Sequence, residues 1–236
     1  HIIPGLSAFV GGDITAGILA SGMLEQEAST LLIDLGTNGE MALGNRHRLH
    51  ACATAAGPAF EGGANRGIWG ADMVRLLQKL LEEGLMDGQG LLKEPYFTKG
   101  VRIGDVLVTK ESVRAVQLAK GAIAAGIEIL ADSYGIRFSD ISKVVLAGGF
   151  GYYLDPKAAV AIGLLPGELA DCTVTGGNTA LSGAAMVGSR ILTAGGKQTA
   201  EGTLPDGGDD LRKRQELQIR ILNLAEEEKF PETFLT

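Results

Sequence analysis

The sequence predicts an α/β protein whose mixed β-sheet carries helices on both faces. Three observations predict it: three short apolar strands follow one another between residues 30 and 54, apolar residues then recur at helical spacing, and later strands alternate with helices. Strands joined by short turns pair antiparallel, whereas strands separated by helices usually pair in parallel. The combination gives a mixed sheet covered by helices.

The composition is that of a soluble globular protein. Its 236 residues are 45% hydrophobic and 21% charged, and a net charge of −7 without a basic run disfavours nucleic acid as a partner. No apolar stretch approaches the roughly 20 residues that span a bilayer, and no signal-peptide pattern opens the chain. Cys52 and Cys172 lie too far apart in sequence to share an iron–sulfur cluster, and we expect a cytoplasmic location.

The first half of the chain is predicted to hold a helix, a meander of three strands and a second helix. A helix from about Asp13 is indicated because Ile14, Ile18 and Leu19 share one face. Between the first two apolar strands, Asn38-Gly39 is the strongest short hairpin signal. The second helix is expected to end at Gly84.

The second half is predicted to alternate helices and strands. A long helix follows Thr109 and ends at Gly135, and Asp155-Pro156 begins another as cap and first residue. The buried stripe of the long helix is expected to comprise Val113, Val116, Ile123, Ile127 and Leu130. Its solvent-facing side is expected to carry Lys110, Glu111, Arg114 and Lys120.

The complete order of elements is that of the ribonuclease H-like arrangement. Residues 1–194 form the predicted lobe, with a connecting helix region over 1–28 and an insertion loop over 85–108, and residues 195–236 are a linker and tail. The predicted elements are helices from about 13, over 69–83, 110–134, from 156 and over 180–192, a short hairpin within 85–108, and strands over 30–35, 40–44, 48–54, 144–147, 172–175 and 216–224.

The segment Asp34-Leu35-Gly36-Thr37-Asn38-Gly39 has the character of a phosphate-binding turn. Alternation along the strand places Leu31, Ile33 and Leu35 on one face, and Asp34 on the other. A carboxylate at the end of a buried strand, beside a glycine turn with converging N–H groups, can orient a water or Mg²⁺ while the amides hold phosphate oxygens. The alternative is a plain hairpin with a solvent-facing aspartate.

Two further glycine-rich segments suit a surface against which a ligand packs. In the first, an apolar strand runs into Gly148-Gly149-Phe150, where the absence of Cβ atoms lets a flat base or ribose lie on the backbone. The second, residues 55–63, contains Gly57 and carries Glu61 as its one ionisable group. Taken alone, the first is equally a tight strand-to-helix turn, and Glu61 is equally a surface residue.

Two helices rich in small residues lie at opposite ends of the predicted lobe. One contains Asp13-Ile14-Thr15-Ala16-Gly17, and the other runs from Asn178 to Ala185. Such helices can cross at close range and slide, which suits a hinge between lobes. Ordinary small-residue packing is the alternative.

The order of these motifs resembles that of the ATPase superfamily containing actin, the sugar kinases and the heat-shock chaperones, known as ASKHA. Residues 12–17 resemble its first connecting helix and residues 179–185 its second. Residues 34–39 resemble its second phosphate motif, and Gly148-Gly149 its adenosine motif. The first phosphate motif, an Asp-Gly-Thr hairpin, is not found in these 236 residues, so the chain resembles the second of two lobes.

A narrower resemblance is to the C-terminal ASKHA domain of the reductive activators of corrinoid enzymes, carried by residues 31–44, 51–63, 116–130, 144–166 and 177–185. Those proteins couple ATP to reduction of a corrinoid protein, with electrons from a ferredoxin. The resemblance implies ATP and Mg²⁺ as cofactors, and a first lobe, a corrinoid protein and a ferredoxin-type donor as partners. From its two distant cysteines we expect no iron–sulfur cluster in this chain. The resemblance further implies a cofactor-binding set of Gly36, Thr37, Asn38, Gly39, Gly57, Gly148, Gly149 and Phe150, with Asp34 at the metal and Asp13 positioning the attacking water.

The chain departs from that family in three respects. It lacks ferredoxin cysteines and the first lobe, and it begins at His1 without a methionine, so we expect a segment upstream. Where larger relatives carry extra strands and a Gly-Ile-Cys-Gly turn, this chain has the short stretch 63–68 and then Trp69-Gly70. A small-molecule kinase on the same scaffold and a non-catalytic protein-interaction module remain alternatives.

Overall fold

The computed structural model describes residues 2–57, 59, 70–193, 211 and 216–231. The helices in those ranges are α1 (Gly12–Ser21), α2 (Gly70–Glu82), α3 (Tyr96–Lys99), α4 (Lys110–Tyr134), α5 (Gly148–Gly151), α6 (Pro156–Ala161) and α7 (Thr179–Thr193). The strands are β1 (Ser29–Leu35), β2 (Gly39–Gly44), β3 (Arg48–Thr54), β4 (Val101–Ile103), β5 (Val106–Val108), β6 (Ile141–Ala147), β7 (Thr173–Gly177) and β8 (Gln218–Leu222). None of these helices combines the length and apolar character that a bilayer span requires.

Six of the strands form one mixed sheet in the order β7-β6-β1-β2-β3-β8. Strand β2 is antiparallel to β1 and β3, whereas β1 pairs in parallel with β6, β6 with β7, and β3 with β8. Five strands therefore point the same way, and their C-terminal ends meet at one edge, which we call the carboxyl edge. In open α/β sheets this is the edge at which ligands bind.

Helices cover both faces of the sheet, as the sequence predicts. On one face, buried side chains of β1, β2 and β6 pack with those of α2, α4 and α6. On the other face, side chains of the same strands pack with α1 and α7. Two apolar layers enclose the sheet, and most side chains of its central strands are fully buried.

Most elements follow the sequence predictions closely. Helix α4 begins after Thr109, whose hydroxyl accepts a hydrogen bond from the Ser112 N–H, and it ends at Gly135 in the left-handed conformation. Asp155 caps α6 as predicted. The short hairpin is β4–β5, and the tail strand is β8. The stretches 60–69 and 195–210, which contain the predicted short stretch, Glu61 and the linker, lie outside the described residues.

Several boundaries differ from the predictions. Strand β6 begins at Ile141, three residues before the predicted start, and β8 spans Gln218–Leu222, a shorter range than the predicted 216–224. Strand β7 spans Thr173–Gly177 and so begins and ends later than the predicted 172–175. The segment after β6 was expected to be a glycine turn, but Gly148–Gly151 forms the single helical turn α5. Four residues with three glycines carry no helical periodicity, so sequence reasoning had no signal for this turn.

Helices α1 and α7 cross at very close range, which confirms that the two small-residue helices meet. A Cβ atom on Gly183 would lie 2.0 Å from the Ala16 carbonyl oxygen and 2.4 Å from its carbonyl carbon. Backbone of one helix therefore occupies the space that a side chain on the other would need. Only glycine allows this separation without moving the helices apart.

Gly183→Ala is expected to destabilise the fold by about 2 kcal/mol, because α7 must move away from α1 and lose part of the apolar layer. The matched control is Gly188→Ala in the same helix, where a Cβ atom meets nothing within 4 Å. That control is expected to be neutral or slightly stabilising. Chemical denaturation of both variants measures the difference, and equal effects would contradict the close crossing.

Candidate functional site at the carboxyl edge

Strand β1 carries Asp34 to the carboxyl edge on the face covered by α1 and α7. Leu31, Ile33 and Leu35 pack into the layer beneath α4, whereas Leu32 packs with α1 and α7. The alternation of a strand therefore turns Asp34 away from α4, as the sequence predicts. In the sheet it lies opposite Glu40 of β2 and beside Ala147 of β6.

Three carboxylates at this edge lie close enough to interact through their charges: those of Asp34, Glu40 and Asp13, which stands at the start of α1. Burial, and then the negative charge of Asp13, raise the pKa of Asp34. Burial, followed by Asp13 and Asp34, raises the pKa of Glu40 to about 7. No lysine or arginine of the described chain contributes an opposing attraction at either group. Such a cluster is relieved when a cation binds beside it.

Glu40 is the site residue that sequence reasoning missed. A two-residue turn at Asn38-Gly39 would place Leu43 opposite Asp34. The turn instead comprises residues 36–38, so Leu35 pairs with Gly39 and Asp34 with Glu40. The one signal that could have found Glu40 is the turn length, because it fixes the register of a hairpin.

The turn itself exposes Gly36, Thr37 and Asn38, whereas Gly39 is buried in β2. The Gly36 N–H donates to the Asn38 carbonyl oxygen at 3.0 Å, which closes the turn tightly. A Cβ atom on Gly39 would lie 2.8 Å from the Thr54 hydroxyl oxygen. The first three residues are therefore accessible to a ligand, and Gly39 is required by packing between strands.

Gly148 and Gly149 follow β6 at the same edge, beside the carboxylates. Gly148 has a φ of 84°, and a Cβ atom on it would lie 2.5 Å from Asp34 Oδ1. Gly149 is exposed, and a Cβ atom there would meet nothing within 4 Å. Phe150 is partly buried against the core. Gly57, which follows β3, also lies toward this edge, with a φ of 74°.

The donor set fits a magnesium ion that keeps most of its water ligands. Across the described ranges, no three His, Cys, Asp or Glu side chains gather closely enough to enclose a metal ion. Mg²⁺ is usually held by one or two carboxylates, with waters and substrate phosphates as its other ligands. Asp34, with Glu40 opposite it, offers that kind of partial site.

Glu40→Gln is expected to weaken the dependence of stability on pH. A carboxyl group with a raised pKa binds its proton more tightly in the folded state. Its stabilising contribution is therefore complete below the ordinary value of 4.5 and is lost as the pH rises through about 7. Melting temperatures near pH 5.5 and near pH 8 test this, with the variant gaining most at the higher pH.

The control for that measurement is Glu128→Gln, at an exposed position of α4. It should leave the pH dependence as in the unmodified protein. A Glu40→Gln variant with unchanged pH dependence would show that burial and the neighbouring carboxylates do not raise the pKa of Glu40.

The chain matches one protein-family model over most of its length. The model describes the C-terminal domain of RACo, the ASKHA domain, and it matches residues 28–66 and 64–192. Those ranges include β1 to β7, α2 to α6 and nearly all of α7.

Two curated proteins and one solved structure are similar to this chain. The corrinoid activation enzyme RamQ of Eubacterium limosum is 35% identical over 70% of this chain and 37% of its own length. The [Co(II) methylated amine-specific corrinoid protein] reductase of Methanosarcina barkeri is 27% identical over 76% of this chain and 42% of its own. The structure of a reductive activator for corrinoid, iron–sulfur protein superposes with a TM-score of 0.82 and 27% identity, covering 100% of this chain and 43% of that one.

The structural similarity confirms the predicted ribonuclease H-like, actin-like lobe. The chain spans about two fifths of the length of each of these relatives.

Proposed function

This chain belongs to the family of C-terminal ASKHA domains described for RACo, and on that premise we propose that it binds and hydrolyses ATP to drive the reductive activation of a corrinoid protein. The observation that carries the proposal is the cluster of Asp13, Asp34 and Glu40 at the carboxyl edge, without an opposing cation among the described residues. Bound Mg²⁺ would compensate that negative charge, and the exposed turn 36–38 would hold the phosphate oxygens beside it.

Different residues of this edge are proposed to hold the metal ion and the phosphates of the nucleotide. Asp34, supported by Glu40, holds the metal-bound water shell. Gly36, Thr37 and Asn38 offer backbone and side-chain groups to the phosphates, and Gly39 keeps the turn in place through its packing on Thr54. Mg²⁺, when bound, neutralises charge on the phosphates and polarises the γ-phosphoryl group.

Gly148, Gly149 and Phe150 form the adenosine side of the proposed site. The open space over Gly149 admits a flat base, and Gly148 allows the chain to pass close to Asp34. Gly57 would border the same ligand from the end of β3. Asp13, exposed at the start of α1, orients the attacking water. These assignments rest on the family resemblance and are supported by the position of the residues at one edge of the sheet.

A first ASKHA lobe is proposed to close over this edge, because in this superfamily the nucleotide sits between two lobes. The crossing of α1 and α7 would then be the hinge against which the lobes move. A corrinoid protein is proposed as the redox partner because the similar proteins are activators or reductases of corrinoid proteins. A ferredoxin-type donor would supply the electrons.

The experiment uses the longest protein encoded by this gene, a Co(II) corrinoid protein and a low-potential one-electron donor. Appearance of Co(I) is followed by absorbance, with ATP·Mg²⁺, with a non-hydrolysable analogue, and without nucleotide. We expect Co(I) only with hydrolysable ATP. Reduction that proceeds equally without nucleotide would refute the coupling, and phosphorylation of a small hydroxyl compound without a corrinoid protein would favour the kinase alternative.

A further inference from the structure

A cavity lies between the first half of α4 and the insertion that joins β3 to α4. It has a volume of about 460 Å³ and is enclosed by α2, α4, the loop 86–90 and the residue after α6. None of the carboxylates, turn residues or glycines of the proposed nucleotide site lines it. Its apolar wall is built from Leu77, Leu81, Met86, Val113, Val116 and Ile162.

The opposite side of this cavity is polar and basic. Arg114, Gln117 and Lys120 line it from α4 at a spacing of three residues, so they share one helix face. The two cations are about 9 Å apart along the helix axis. Within the described part of the chain, neither Arg114 nor Lys120 has a carboxylate partner in an ion pair.

The acidic residue of the cavity lining, Asp87, is already engaged by its own loop. Its Oδ1 atom accepts hydrogen bonds from the N–H groups of Gln89 at 3.0 Å and Leu91 at 2.8 Å. The Gln117 side-chain amide donates to the Gln89 carbonyl oxygen and pins the loop to α4. The loop is therefore a preformed wall. Because Arg114 and Lys120 face the single carboxylate of Asp87, the lining keeps a net positive charge.

We propose that this cavity binds a small organic anion. The volume lies within the range of small-molecule pockets, which are typically about 300–1,000 Å³. An aromatic or aliphatic body packs against the wall formed by α2 and Val116. A carboxylate or phosphate monoester group lies at Arg114 and Lys120, whose N–H groups are donors for either anion.

Three probes with the same aromatic body separate the possible head groups: benzoate, phenyl phosphate and uncharged benzamide. Binding to this chain is measured by ligand-observed NMR titration. We expect at least one anion to bind about tenfold more tightly than benzamide, and the better anion identifies the head group. Equal affinity for all three, or no binding of either anion, would overturn the proposal.

Paired substitutions locate the bound anion. The double variant Arg114→Gln, Lys120→Gln is expected to weaken anion binding roughly tenfold, because it removes two partly exposed ion pairs with the anion. Lys99→Gln with Arg102→Gln, at exposed cations of the same insertion that do not line this cavity, should leave it unchanged. Equal effects of the two pairs would overturn the assignment.

A nucleotide titration separates this cavity from the proposed ATP site. The affinity for ATP·Mg²⁺ should be the same in the Arg114→Gln, Lys120→Gln protein and in the unmodified protein. A parallel loss of ATP binding and anion binding would show that the cavity is part of the nucleotide site, which would also overturn the proposal. If the protein binds the anion but not ATP, the anion site is retained and the proposed ATPase function is rejected.

Discussion

Asp34→Asn is expected to lower ATP hydrolysis by at least about 100-fold without any loss of stability near pH 8. The substitution keeps the shape of the side chain but removes the charge that we propose holds Mg²⁺. Losses of this size are typical when one electrostatic contact to a transition state is removed. Because burial and Asp13 raise the pKa of Asp34, the charged form is unfavourable in the folded protein. The variant should therefore melt at the same temperature or higher near pH 8.

The test is a phosphate-release assay on the longest protein encoded by the gene, with a thermal melt of the same sample. Asp105→Asn, at an exposed turn between β4 and β5, is the matched control and should retain full activity. A rate for Asp34→Asn within a few-fold of the unmodified protein would refute the role of Asp34 at the metal. A lower melting temperature would contradict the carboxylate cluster.

Gly148→Ala is expected to remove measurable ATP binding and to destabilise the fold by about 2 kcal/mol. The residue has a φ of 84°, which an alanine adopts only with strain. Its Cβ atom would also lie 2.5 Å from Asp34 Oδ1 and 2.6 Å from the Leu35 carbonyl oxygen. Relief of that overlap would displace the end of β1, and with it Asp34 and the turn 36–38.

Gly149→Ala is the control one residue away, because a Cβ atom there meets nothing within 4 Å. It should preserve the fold, and any loss of ATP affinity in this variant reports on the ligand itself. Calorimetric titration and denaturant melts of both variants give the comparison. Equal stability of the two variants would show that a Cβ atom at position 148 does not displace Asp34.

Local patterns were sufficient to predict most of the fold. The alternation in β1 assigned Asp34 to the correct face, and the Asp155-Pro156 pair gave the start of α6. The left-handed Gly135 at the end of α4 followed from the sequence as well. Each of these features depends on residues within one or two turns of each other, where sequence spacing and spatial contact coincide.

The parts that could not be predicted depend on register or on distant contacts. Glu40 joins Asp34 because the turn has three residues, and the Asn38-Gly39 pair suggested two. The pairing of β8 with β3 links residues that are about 170 positions apart, so no local pattern specifies it. The sequence predicts a solvent-facing position on α4 for Arg114 and Lys120. The cavity beside them exists because the loop 86–90 folds back over that face.

Calorimetric titration of ATP·Mg²⁺ tests the central claim most directly, applied to this chain and to the longest protein encoded by its gene. We predict saturable binding by the longer protein, weaker binding by this chain because the proposed first lobe is needed to close the site, and loss of binding in both when Mg²⁺ is omitted. Failure of the longer protein to bind ATP·Mg²⁺ would contradict both the proposed ATPase and the kinase alternative.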